Sequence, residues 1–132
     1  MAVVAPVDRQ KGYEEYESRI LITKKSGVEL RAQDFSSEDG EHGYGADTVF
    51  WTPDSQFFVC QMRNSGGHSP MDAPVVFWSR RTGRFYQLDG YTADMTFATA
   101  QPDKLRVNTW PGLAAASLSL GHLRQGQAVE LH

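Results

Sequence analysis

Apolar residues along this chain come in short runs, many alternating with polar ones. The runs are broken at intervals of roughly eight to twelve residues by Gly, Pro, Asn or Asp. Residues 19–23 (RILIT) are apolar and β-branched, the turn Lys24-Lys25-Ser26-Gly27 follows, and 28–32 (VELRA) alternates. That is a hairpin pattern whose glycine supplies a left-handed turn position. Beyond a polar loop at 33–46, strands are expected at 47–51, at 56–63 after the Pro53-Asp54-Ser55 turn, at 74–79, and at 84–88 after a turn at 80–83. A Gly-rich loop, 64–70, separates the second and third of these. The last third suggests strands at 95–99, 104–110, 113–120 and 128–131, although Ala114-Ala115-Ala116 would also suit a helix. Residues 1–17, with Pro6, Gly12 and four acids, read as an N-terminal arm with a short helical turn at 13–16. Residues 18–132 read as a single β domain.

Two of the hairpins echo one another. Thr23-Lys24-Lys25-Ser26-Gly27 and Ser79-Arg80-Arg81-Thr82-Gly83 each set a hydroxyl residue, two bases, a second hydroxyl residue and glycine between an apolar strand and an alternating one. Trp51-Thr52-Pro53-Asp54-Ser55 has a weaker counterpart in Ala100-Gln101-Pro102-Asp103. Repeats at about 40–50 residues are the period of four-stranded propeller blades. On these residues the run 49–88, with its WTPDS turn, FFV, VVF, Gly turn and FYQL, resembles one blade of the TolB-type β-propeller family. That family joins its first two strands by Trp-Ser-Pro-Asp-Gly. Here Thr52 stands for Ser and Ser55 for Gly, and the loop between the second and third strands is long. The resemblance implies blade-like hairpin geometry and says nothing of activity. A closed ring takes about four to eight blades, and this chain holds about two and a half such units. The expected fold class is therefore all-β. It is an antiparallel meander of about nine short strands, with blade-like hairpins closing as an open sandwich or incomplete propeller.

Composition narrows the picture. With 132 residues, 40% of them apolar, the chain can fill one core without metals or disulfides. Its single cysteine, Cys60, lies in Phe57-Phe58-Val59-Cys60, the setting of a small buried hydrophobe rather than a reactive thiol. The net charge of −3 argues against a nucleic-acid partner. No stretch approaches the ~20 apolar residues of a membrane helix, so no membrane association is expected. The start, Met1-Ala2-Val3-Val4-Ala5-Pro6, lacks the basic leader of a signal peptide, so the expected location is cytoplasmic.

Chemical signatures are sparse. The histidines (His42, His68, His122, His132) are scattered, with no zinc-ligand spacing. There is no nucleophile elbow, phosphate loop or dinucleotide fingerprint, and no catalytic residue, cofactor or metal is expected. Glu38-Asp39-Gly40-Glu41-His42 lacks the alternation of a calcium loop and reads as a solvated acidic loop. Two features point to a binding surface instead. From Glu29 to Asp54 there are seven acids against one base, Arg31, a concentration able to steer a basic partner. The loop 64–72 carries Gly66-Gly67, and long loops on rigid β scaffolds are where recognition concentrates. The candidate partner-binding residues are Asp34, Glu38, Asp39, Glu41, His42 and Tyr44 in the first region, and Asn64, His68, Met71 and Asp72 in the second. These features suggest a non-enzymatic protein-binding module, its specific form a bacterial immunity-type protein that occludes a cognate toxin. One alternative is a small-molecule or glycan-binding domain with Trp78, Tyr86 and Tyr91 along a groove. Another is a small hydrolase using His68 and Asp72. Open edge strands also suit a homodimer.

Overall fold

A computed structural model of the protein describes residues 1–6, 17–36, 43–64, 74–88, 91–93, 104–109, 115–123 and 127–131. Regular structure among them is entirely β, in eleven strands. In an N-terminal sheet, β2 (Ser18–Thr23) lies between β1 (Ala2–Pro6) and β3 (Glu29–Asp34). The central sheet is a meander of β4 (Tyr44–Trp51), β5 (Phe57–Asn64), β6 (Val75–Ser79) and β7 (Arg84–Leu88). A C-terminal sheet holds β8 (Tyr91–Ala93), β9 (Lys104–Thr109) and β10 (Ala115–Ser119) in the order β10-β9-β8. The two-residue β11 (Val129–Glu130) returns to extend the central sheet beside β7. Every pairing is antiparallel.

The continuous apolar runs in β5 and β6 explain why the central sheet is central. A strand covered on one face alternates, whereas one covered on both does not. In β6 all five residues are buried. Phe58, Cys60, Met62, Val76, Trp78 and Phe85 pack with Ile20 and Ile22 of the N-terminal sheet. From the opposite face, Phe57, Val59, Val75, Phe77 and Leu88 pack with Leu105, Val107 and Leu118 of the C-terminal sheet. Each such side chain contributes about 1.5–3 kcal/mol when fully buried, and the energy is divided between two cores that share one sheet. The layers stack face to face without closing into a barrel, the open-sandwich closure anticipated from the chain.

The echoing turns share a left-handed glycine but close through bonds of different span. Gly27 and Gly83 have φ of 91° and 71°, each closing a hairpin, with the amide of Gly27 donating to the Lys24 carbonyl (2.9 Å) and that of Gly83 to the Ser79 carbonyl (2.8 Å). Two details depart from the sequence reading, and a third, the strand expected at 113–120, agrees with it. Ala2–Pro6, expected within an arm, is a strand in register with Ser18–Thr23, and Met1 and Thr23 exchange two hydrogen bonds (2.8 and 3.0 Å). Its proline is tolerated because β1 is an edge strand. Ala115–Ser119 is a strand despite its alanines, since Leu118 stands opposite Leu105 in the sheet and pairing outweighs propensity. The short β8, paired with β9, was not anticipated. The expected strand at 95–99 and helical turn at 13–16 lie outside the described residues.

Candidate functional site

The regions singled out in the sequence are anchored at one end of the stack. Asp34 ends β3, Tyr44 begins β4, and Asn64, the last residue of β5, stands directly opposite Tyr44. The strands are tied there by backbone hydrogen bonds. The Phe35 amide donates to the Ser18 carbonyl (3.0 Å), Tyr44 to Phe35 (2.9 Å), and Met62 to Pro74 (3.0 Å). The Ala46 amide donates to the Ser18 hydroxyl (2.9 Å), and Arg63 Nη1 donates to the Ala46 carbonyl. Gly43 is required by close approach, because a Cβ there would overlap the Phe35 carbonyl oxygen and the Glu17 carboxylate. The described ends of the two candidate segments, 33–47 and 64–72, thus meet at one end of the stack.

Of the candidate residues, Asp34 is exposed. Hydrogen bonds from Ser36, whose amide donates to Asp34 Oδ1 (2.8 Å), hold its carboxyl below the usual range, and the charge of Arg19 adds to this. Tyr44 is half-buried and packs against the core shared with the N-terminal sheet, so much of its ring serves packing. For Asn64 the backbone position is described. Glu38, Asp39, Glu41, His42, His68, Met71 and Asp72 lie outside the described residues.

Sequence reasoning missed an uncovered apolar face. In the N-terminal sheet Ile20 and Ile22 turn inward, so Arg19 and Leu21 turn outward. Register places Val3 and Ala32 on either side of Leu21, and Ala5 and Asp34 on either side of Arg19. One row across the sheet is apolar and the next is charged. Val3 is 44% exposed; Leu30, at the register shift between the Ile22–Arg31 and Thr23–Glu29 pairs, is 42% exposed, and Val28 at the hairpin end 56%. Arg19 and Glu29 form an exposed ion pair at 4.0 Å on this sheet. The signal lay in the alternation of RILIT and VELRA, but the apolar row becomes legible only once β1 is known to pair with β2.

The aromatic groove residues divide. Trp78 is core, 2% exposed, with the Arg80 guanidinium over its ring and that of Trp51 at 5.7 and 5.5 Å. Its indole N–H has no hydrogen-bond partner, a cost of about 1–3 kcal/mol that ring burial outweighs. Tyr86 is half-buried and stacks on Phe77. The side chain of Tyr91 is outside the described set. Cys60 is wholly buried, 3.2 Å from the Met62 sulfur, and burial, with the Asp47 charge adding to it, pushes its thiol up to about 12. That pKa makes it an inert core residue.

Among the described residues the geometry is an open all-β stack, with the ends of the two candidate segments meeting at one end and an N-terminal sheet that exposes Val3 and Leu30. Among the described residues no group of His, Cys, Asp and Glu is arranged to hold a metal ion, and no helix is long and apolar enough to cross a membrane. In comparisons with protein-family models, curated proteins and solved structures, nothing matches the chain.

Proposed function

We propose that the chain is a non-catalytic protein-binding module, and in its specific form an immunity-type protein of the bacterial cytoplasm that neutralises a cognate toxin by covering its active surface. The observation that carries this reading is the meeting of Phe35, Tyr44, Asn64 and Pro74 at one end of the stack. It brings the described ends of the acid-rich segment and the Gly-rich segment to one place. Beside them lies the outward face of the N-terminal sheet, apolar at Val3, Leu21, Leu30 and Ala32 and charged at Arg19, Glu29 and Asp34. Apolar anchors within a charged surround are the composition of an interface. Seven acids against one base between Glu29 and Asp54 suit a basic partner. We also read the β4–β7 meander as a TolB-type blade unit serving here as the scaffold.

The test is calorimetry with the purified product of the adjacent gene as titrant. The reading expects a 1:1 complex of micromolar affinity or better that weakens with salt. It expects a loss of about tenfold or more for Leu30→Asp and a smaller loss, mainly in association rate, for Asp34→Lys. Absence of a complex refutes the immunity form. A complex indifferent to both variants removes the surface assigned to it.

A further inference from the structure

At the opposite end of β5 from Asn64, where the central and C-terminal sheets part, there is a cavity of about 280 Å³. Its wall is aromatic. Phe77 and Tyr86 stack with centroids 5.2 Å apart and planes inclined by 20°, and Phe57 meets Phe77 edge-on at 5.9 Å. Its polar side is formed by Ser79, Arg81 and Thr82 of the β6–β7 turn, with the Tyr86 hydroxyl donating to Thr82 Oγ1 at 3.0 Å. Arg81 is exposed, and none of the described lining residues carries a carboxylate. Among the described lining residues the cavity therefore joins an apolar, partly aromatic wall to one permanent cation, Arg81, and hydroxyl groups. We propose that it binds a small aromatic carboxylate, the ring against Phe77 and Tyr86 and the carboxylate on the Arg81 guanidinium.

Charge and shape both favour this class. A guanidinium presents a planar fork of donors matched to a carboxylate, and a cationic ligand would meet repulsion that no acid among the described lining residues offsets. Among the described lining residues a sugar's hydroxyl donors would find only hydroxyl oxygens as side-chain acceptors. The volume lies near the lower limit of ligand pockets, which suits a two-ring acid.

The experiment titrates 2-naphthoate into the full chain by calorimetry and by amide chemical-shift mapping, with 2-naphthamide and 2-naphthylmethylammonium as comparators. For a ligand of this size the expected Kd is about 0.1–1 mM at 1:1 stoichiometry. Shifts should concentrate on the Thr82 and Gly121 amides. Arg81→Gln, a substitution in an exposed turn, should weaken 2-naphthoate about tenfold and leave 2-naphthamide unchanged. No saturation below about 5 mM overturns the proposal. So do equal affinity for the ammonium compound, an undiminished affinity in Arg81→Gln, or shifts confined to the N-terminal sheet. The site is remote from the protein-binding surface, so the two proposals stand or fall separately.

Discussion

Ser55→Gly should stabilise the protein. Ser55 is the one described residue other than glycine with positive φ, at 60°. It closes a turn in which the Ser55 amide donates to the Thr52 carbonyl (2.8 Å), the Thr52 hydroxyl to Asp54 Oδ1 (2.7 Å), and the Gln56 amide to the same carboxylate oxygen (3.1 Å). The Phe57 amide donates to Thr52 Oγ1 (3.2 Å) and the Thr52 amide to the Phe57 carbonyl (2.9 Å). None of these bonds uses the Ser55 side chain. A left-handed L-residue costs about 1–2 kcal/mol relative to glycine, and glycine gives back about 0.4–1 kcal/mol through the entropy of the unfolded chain. The net gain is about 0.5–1 kcal/mol, a rise of roughly 2–4 °C in Tm for a chain of this length. Urea unfolding followed by circular dichroism measures it, with an unchanged m-value as the sign that the surface exposed on unfolding is unaltered. Ser55→Ala, which keeps the Cβ, should show no gain. If glycine proves neutral or destabilising, or if alanine matches it, the left-handed strain assigned to Ser55 is wrong.

Cys60 predicts an alkaline loss of stability. Its folded pKa of about 12 lies above that of an unfolded thiol, near 8.5. Between these values the unfolded chain therefore holds fewer protons, and stability falls by about 1.4 kcal/mol per pH unit. Urea titrations from neutral pH to pH 10 should show a steeper decline for the wild type than for Cys60→Ala, and parallel curves would contradict the burial assigned to the thiol. Gly43→Ala should cost about 3 kcal/mol or more, because the added methyl meets the Phe35 carbonyl and the Glu17 carboxylate. A urea midpoint within error of the wild type would show that the Phe35–Tyr44 junction can open at no cost.

What was legible in the chain follows from the range of the forces involved. The turns at Lys24–Gly27, Thr52–Ser55 and Arg80–Gly83 were readable because glycine, proline and hydroxyl side chains dictate backbone geometry over four or five residues. The unbroken apolar character of VVFWS and FFVC marked strands covered on both faces. The pairing of Ala2–Pro6 with β2 was hidden, since register between segments a dozen residues apart leaves no local trace. With it was hidden the apolar row through Val3, Leu21 and Ala32. For the same reason the sequence marked Asp34, Tyr44 and Asn64 as separate candidates, and it took the Tyr44–Asn64 pairing to bring them to one place. The cavity beside Tyr86 depends on residues from the central sheet, from β10 onward and from Ala128, a convergence that no window of sequence contains.

The uncovered face allows the binding proposal to be tested apart from stability. Val3, Leu30 and Val28 face away from both cores, and the packing inside the stack is fully accounted for by Ile20, Ile22 and their partners on the central sheet. Polar residues at the outward positions would leave those contacts intact, so nothing in folding requires apolar ones there. Exposures of 44, 42 and 56% correspond to roughly 250 Å² of residue surface, a modest area that would serve as the apolar part of an interface completed by its charged neighbours. Substitutions such as Leu30→Asp should therefore change stability by no more than about 0.5 kcal/mol, the ordinary range for surface positions. Tyr44 behaves differently, because it packs against the core and its removal would disturb folding and binding together. A loss of partner affinity in Leu30→Asp, with an unchanged urea midpoint, assigns the effect to the interface itself.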